Sequence, residues 1–243
     1  MKGLALQIEP EALAILASVS HFLKERQIES YLVGGFVRDV LIGRSTADID
    51  IAIAADVLTT GPDMADALGG KYVLLDEANR IARVVLSPAS SGKSPWHIDL
   101  STLAGDLRKD LARRDFTIDA MAIDLNLLVE NPSSIVLIDP LGGQKDLQKG
   151  IIKTVTDAAF ESDPARLLRA VRLAAELGFV ISSETEALVR RHHQLVARVS
   201  GERVREELLR IFMTPEAGDF VRYLDKTGLL TVIIPQLEPS KGM

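Results

Sequence analysis

The sequence predicts an α+β fold, with a mixed sheet and helices over residues 1–150 and an all-helical part over residues 151–243. Three observations lead there. Short runs with the two-residue period of strands recur up to about residue 100. Segments with helical apolar spacing lie among them, so sheet and helices share one layered core. After Lys153 the strand pattern stops, and the longer segments are all spaced as helices. The boundary falls near Gly150, with no linker of disordered composition and no internal repeat.

Taken in order, Pro10 to Arg26 carries Leu13, Leu16, Val19, Phe22 and Leu23 at helical intervals. Ile28 to Val33 reads as a strand, Val37 to Ile42 as a short helix and Ile49 to Ile53 as a second strand. Thr60 to Leu68 reads as a helix closed by Gly69-Gly70. Tyr72–Leu75, Ile81–Leu86 and Trp96–Leu100 read as strands. The stretch SPASSGKSP between the last two is small, polar and Pro-bearing, and is expected to be a mobile loop. Pro164–Leu177, Glu184–Val199, Arg203–Met213 and Ala217–Thr227 are expected helices.

Composition narrows the setting. The apolar share of 47% suffices for a buried core. Cysteine is absent, which excludes a disulfide framework and thiolate metal sites. No run reaches the roughly 20 apolar residues of a membrane helix, so a soluble, cytoplasmic protein without a membrane partner is expected. The net charge is −6. Acidic and basic residues balance from Ile151 onward, so the excess lies in the first 150 residues, where a cation-binding carboxylate site belongs.

The chemistry concentrates in YLVGGFVRDVLIGRSTADIDIAI, residues 31–53. An apolar strand runs into Gly34-Gly35, which suits a turn before a helix N-terminus that can receive phosphate. Arg38 follows one turn later. In Asp48–Ile53 the isoleucines share one strand face, and Asp48 and Asp50 share the other. Two carboxylates so placed can hold divalent metal ions between them. His97 and Asp99 share a face in WHIDL; Asp99 is a candidate third acidic group or an exposed strand aspartate, and His97 reads as structural. Arg113, Arg114 and Asp115 offer cations for a triphosphate and a carboxylate that can order a ribose hydroxyl or an arginine. Asp163-Pro164 opens a helix as N-cap and N1, and Arg166, Arg169 and Arg172 repeat at intervals of three along one side.

The glycine pair, the DxD strand and four later blocks together resemble the class II tRNA nucleotidyltransferase and bacterial poly(A) polymerase family, within the polymerase β-like nucleotidyltransferases. RRDFTIDAMA is similar to the family's RRDFTxNAMA, with Asp119 where asparagine is usual. Aspartate can only accept hydrogen bonds, so ribose recognition can differ unless a neighbouring arginine compensates. Asp139–Leu147 matches DPxGGxxDL, a connection between head and neck, and DPARLLRAVRLAAELGF matches EDPxRLLRAVRFAxxLGF, with Ser162 in place of glutamate. Ser200–Leu208 resembles the family's fifth motif, expected to brace the helix before it.

The resemblance implies a nucleotidyltransferase head over 1–150 and a helical neck or body over 151–243. Family members run longer, so the chain is expected to be an excised head-and-neck fragment or an unusually short member. It implies Mg²⁺ on Asp48 and Asp50, with Asp99 beside them in catalysis. It implies nucleotide contacts at Gly34, Gly35, Arg38, Arg113, Arg114, Asp115 and Asp119. Asp163 and Arg166 would read the base, and Arg169 and Arg172 would meet phosphates. The implied reaction adds CMP and AMP from CTP and ATP to the 3′ end of tRNA or another RNA without a template. CCA addition comes first; partial addition, poly(A) synthesis and a non-catalytic nucleotide- or RNA-binding module remain open.

Overall fold

Proline at the start of a helix costs nothing, because its missing N–H would have no intrahelical partner. Pro10 so opens α1 (Pro10–Glu25) in the computed structural model, which describes residues 8–88, 94–103, 105–132 and 135–240. Ala12, Leu16, Val19 and Leu23 bury the apolar stripe of α1. Next, β1 (Ser30–Val33) runs directly into α2 (Gly34–Leu41). Gly34 makes that turn at φ 66°, a conformation glycine enters without steric cost. In β2 (Asp48–Ile53), Ile49, Ile51 and Ile53 are fully buried and Asp48 is exposed, as strand alternation requires.

Helix α3 (Val57–Leu68) is capped by the Asp56 carboxylate, which accepts from the Leu58 N–H, and is closed by Gly69 in the left-handed region. There follow β3 (Lys71–Asp76), β4 (Ile81–Leu86), β5 (Trp96–Thr102), α4 (Leu107–Ala112), β6 (Ala122–Asp124), α5 (Leu125–Glu130) and β7 (Leu137–Ile138). The seven strands form one sheet in the order β3-β4-β5-β2-β1-β6-β7. Only β2 and β5 run parallel; the other neighbours are antiparallel.

The remaining elements are α6 (Gly143–Lys149), β8 (Ile151–Ile152), α7 (Ala159–Ser162), α8 (Arg166–Leu177), β9 (Val180–Ile181), α9 (Ser183–His192), α10 (Gly201–Phe212), α11 (Ala217–Lys226) and α12 (Leu229–Ile233). Leu167, Leu168, Val171 and Ala174 bury one side of α8. The chain divides into two compact units. One gathers residues up to Leu111 with Asp119–Pro140 and contains the sheet; the other gathers Ala112–Ile118 with the chain from Leu141 and contains the helices.

The fold is α+β, as expected. Among its departures from the expected elements are three in the C-terminal part. The C-terminal part holds one short parallel pair, β8–β9, of two residues per strand, too brief to show a period. The helix expected to run to Val199 tightens at His193 into a 3₁₀ turn through Arg198. The helix expected from Pro164 begins at Arg166, and at its start Arg166, Leu167 and Leu168 donate to the carbonyls three residues back. Residues 89–93 of the expected loop lie outside the described residues.

Candidate active site

Sheet register assembles the first group of side chains. In the parallel β2–β5 pair, Asp48 lies opposite His97 and Asp50 opposite Asp99. Across the antiparallel β4–β5 pair, Asp99 lies opposite Arg83. Asp50, Asp99 and Arg83 therefore form a row across three strands on one face. Asp50 is oriented by the first turn of α2: the Phe36 N–H donates to its Oδ2 at 3.3 Å. The turn at Gly34, at φ 66°, starts α2 beside Asp50. A Cβ on Gly35 would make ordinary contacts, 3.5 Å from Asp50 Oδ2 and 3.4 Å from Arg38 Nη2, so Gly35 lies directly beside both groups.

Asp48 is exposed, and its Oδ1 lies 2.8 Å from His97 Nδ1. Asp99 is engaged differently from expectation. Both its oxygens accept from Arg83, Nε to Oδ1 at 2.6 Å and Nη2 to Oδ2 at 2.7 Å. The expected third acidic group thus stands in a bidentate ion pair. Among the described residues no three His, Asp or Glu side chains gather into a ready-made ion cage. Asp48 and Asp50 offer two hard oxygen donors on one strand face, which fits Mg²⁺, an ion usually held by one or two carboxylates plus substrate phosphates and water.

Arg38, on α2, is buried. Its Nη1 donates to Asp119 Oδ1 at 2.6 Å and its Nε to Asp39 Oδ1 at 2.9 Å. Asp119 is itself buried, so the aspartate that replaces the family's usual asparagine meets a fixed cation. Compensation by a neighbouring arginine, one outcome left open by the sequence, is the arrangement present.

The second group belongs to the helical unit. Asp115 is buried against the Arg169 guanidinium and accepts from the Phe116 N–H at 2.9 Å. Burial raises its pKa, but Arg169 and then Arg166 outweigh that, leaving the carboxyl below its ordinary range. Arg113 is exposed, and its carbonyl accepts from Arg166 Nη2 at 2.9 Å; Arg114 is half-buried. Arg166 Nη1 also lies 3.2 Å from Ser162 Oγ, so the serine at the family's glutamate position still touches the base-reading candidate.

Asp163 does cap the start of α8, accepting from the Ala165 N–H at 3.1 Å. The same carboxylate takes both arms of Arg203 on α10, at 3.1 and 2.9 Å. Burial pushes its pKa up, yet Arg203 and the Ala165 N–H more than offset that and hold it low. Arg172 departs from the expected phosphate contact. It is 2% exposed and donates to Glu176 at 2.6 Å and to Glu207 on α10. Those contacts tie α8 to α10, the bracing expected of the Ser200–Leu208 motif. Arg83, His97 and Arg203 were not among the sequence candidates. Cross-strand and interhelical proximity singles out Arg83 and Arg203, while the β2–β5 register brings His97, read from the sequence as structural, to Asp48.

Comparison with known proteins agrees with the sequence motifs. Residues 30–153 match the poly A polymerase head domain, and residues 178–241 match the probable RNA and SrmB-binding site of polymerase A. The CC-adding tRNA nucleotidyltransferase of Geobacter sulfurreducens is 39% identical over 84% of this chain and 45% of its own length. The CCA-adding enzyme of Geobacillus thermodenitrificans is 33% identical over 87% of this chain and 52% of its own. The chain thus spans about half the length of the curated relatives it matches. The Thermotoga maritima CCA-adding enzyme complexed with tRNA superposes with a TM-score of 0.80 at 33% identity, covering 94% of this chain and 53% of the other. With the head-domain match spanning the glycine turn, the DxD strand and the RRD block, the chain belongs to the tRNA nucleotidyltransferase and poly(A) polymerase family.

Proposed function

We propose that this chain carries the catalytic and nucleotide-selecting residues of a template-independent nucleotidyltransferase that extends the 3′ end of tRNA with CMP and AMP. The observation that carries this reading is the pairing of Asp48 and Asp50 on one strand face with the α2 N–H directed at Asp50. Asp48 and Asp50 would hold Mg²⁺. When bound there, the ion lowers the pKa of the attacking hydroxyl and neutralises charge on the triphosphate. In the reaction the primer 3′ oxygen bonds to the α-phosphorus, pyrophosphate leaves and the hydroxyl proton is lost.

The chain's own residues orient these groups. The Phe36 N–H fixes the Asp50 carboxylate, and the glycine turn beside it would receive phosphate. Arg38 would act at the phosphates while anchored by Asp119 and Asp39. Arg113 and Arg114 would offer charge to a triphosphate, with Asp115 and Arg169 ordering the sugar and phosphates. Asp163 and Arg166 would present acceptor and donors to the edge of the base, taking the place of a template. The bracing of α8 by Arg172 and α10 would keep those two readers in register. The division into a head over 1–150 and a neck over 151–243 belongs to the same reading, as does a cytoplasmic location alongside tRNA. Among the described residues no helix is long and apolar enough to cross a membrane.

CCA addition is the first reading. The CC-adding relative at 39% identity favours CC addition as the second. Incubating full-length protein with Mg²⁺, tRNA ending before CCA and each NTP separately or combined tests both on one sequencing gel. CCA addition gives two residues with CTP alone and a third when ATP is also present. CC addition stops at two in either case. No extension under any condition contradicts the proposal.

A further inference from the structure

Arg83 lies at the centre of β4, on the face that carries the metal-binding candidates. Its fork closes both oxygens of Asp99, and Asp99 sits one strand from Asp50. Neighbouring strands are about 5 Å apart, so Asp48, Asp50, Asp99 and Arg83 act on one another electrostatically. The arginine feels all three carboxylates. Its hydrogen bond to Asp99 raises its pKa; burial opposes that, and the charges of Asp99, Asp48 and Asp50 add to the rise. A carboxylate closed in a bidentate fork has its charge cancelled and both oxygens occupied, so it offers little to a dication.

We propose that Arg83 is a positioning residue that sets the cation affinity of the site, holding Asp99 in a neutral pair so that Asp48 and Asp50 alone bind the metal. The inference rests on the reading of Asp48 and Asp50 as metal ligands. It makes Asp99 and Arg83 a matched pair whose charges matter only when one is missing. Arg83→Met would leave an uncompensated anion beside Asp50. Asp99→Asn would leave an uncompensated cation there. The two changes should therefore shift affinity in opposite directions, and together they should cancel.

The test is Mn²⁺ binding to the full-length protein without nucleotide or RNA, followed by electron paramagnetic resonance of unbound Mn²⁺. Arg83→Met should tighten binding about tenfold and Asp99→Asn should weaken it about tenfold, the scale of one added unit charge near a dication in a solvated site. The double variant should return to within about twofold of wild type. Arg83→Lys, which keeps the charge, should stay near wild type. Arg83→Gln makes the same charge change should Arg83→Met fail to fold. A double variant as weak as Asp99→Asn alone would make Asp99 a ligand and overturn the proposal. Unchanged affinity in Arg83→Met and Arg83→Gln overturns it as well. If Asp50→Asn also leaves Mn²⁺ binding unchanged, the underlying two-carboxylate reading fails too; if Asp50→Asn abolishes it, only the role of Arg83 falls.

Discussion

Asp163 does two things with one carboxylate: it caps the first turn of α8 and holds Arg203 by two hydrogen bonds. A cap alone is worth about 1 kcal/mol, and its loss would not distinguish one nucleotide from another. Asp163→Ala is therefore expected to lower the melting temperature and also to change the ratios of kcat/KM among the four NTPs. A lowered melting temperature with unchanged ratios would leave the residue a cap and brace only. Asp119 makes a different prediction. It is buried with Arg38, and removing one partner of a buried ion pair leaves the other uncompensated, at a cost of roughly 3–5 kcal/mol. Asp119→Ala should reach that range in denaturant unfolding. Asp119→Asn, which keeps an acceptor and restores the family's usual residue, should cost less. Equal losses in the two variants would mean that the pair contributes through packing and not through charge.

The decisive element is β2, because one strand face builds the core while the other presents the carboxylates. Ile51 is fully buried, so Ile51→Ala should cost roughly 2–5 kcal/mol through lost burial and the cavity left behind. Thermal or denaturant unfolding measures it; a loss well under 1 kcal/mol would contradict the assigned register. This double use is why β2 was legible in the sequence. Alternation is local, and so are the glycine turn at Gly34-Gly35 and the amphipathic spacing of α8. Arg83 was not legible for the opposite reason. In IARVVL it looks like one solvated charge in an apolar strand, and its meaning comes from register with Asp99, sixteen residues away in the chain. Arg172 misled in a complementary way. Its spacing with Arg166 and Arg169 suggested a shared basic side, yet Glu207 on α10 draws it into the interior. The pair β8–β9 and the strand β6 were too short for any period to register.

At the scale of the molecule, two depressed carboxyls link stability to pH. Asp115 and Asp163 both have pKa values in the folded state below the ordinary range, despite burial, because arginines face them. A depressed folded-state pKa contributes stability above the unfolded value of about 3.9, and that contribution is lost as pH falls through the folded value. The melting temperature should therefore drop as pH falls below about 4, and Asp115→Asn should flatten part of that drop. A pH profile identical in wild type and Asp115→Asn would contradict the role of the Asp115–Arg169 pair. The acidic excess of the first 150 residues suits cations more than RNA, so the electrostatics of the sheet-bearing part point to metal before nucleic acid. The central claim is that Asp48 and Asp50 together run the chemistry. It is tested most directly by single-turnover CMP incorporation into tRNA lacking CCA, comparing full-length wild type with Asp48→Ala and Asp50→Ala, with circular dichroism as a check on folding. The expected result is folded variants whose rates fall by at least about 10²–10³-fold, the scale for losing an electrostatic centre of the transition state. A folded Asp50→Ala variant that incorporates CMP at the wild-type rate would contradict it.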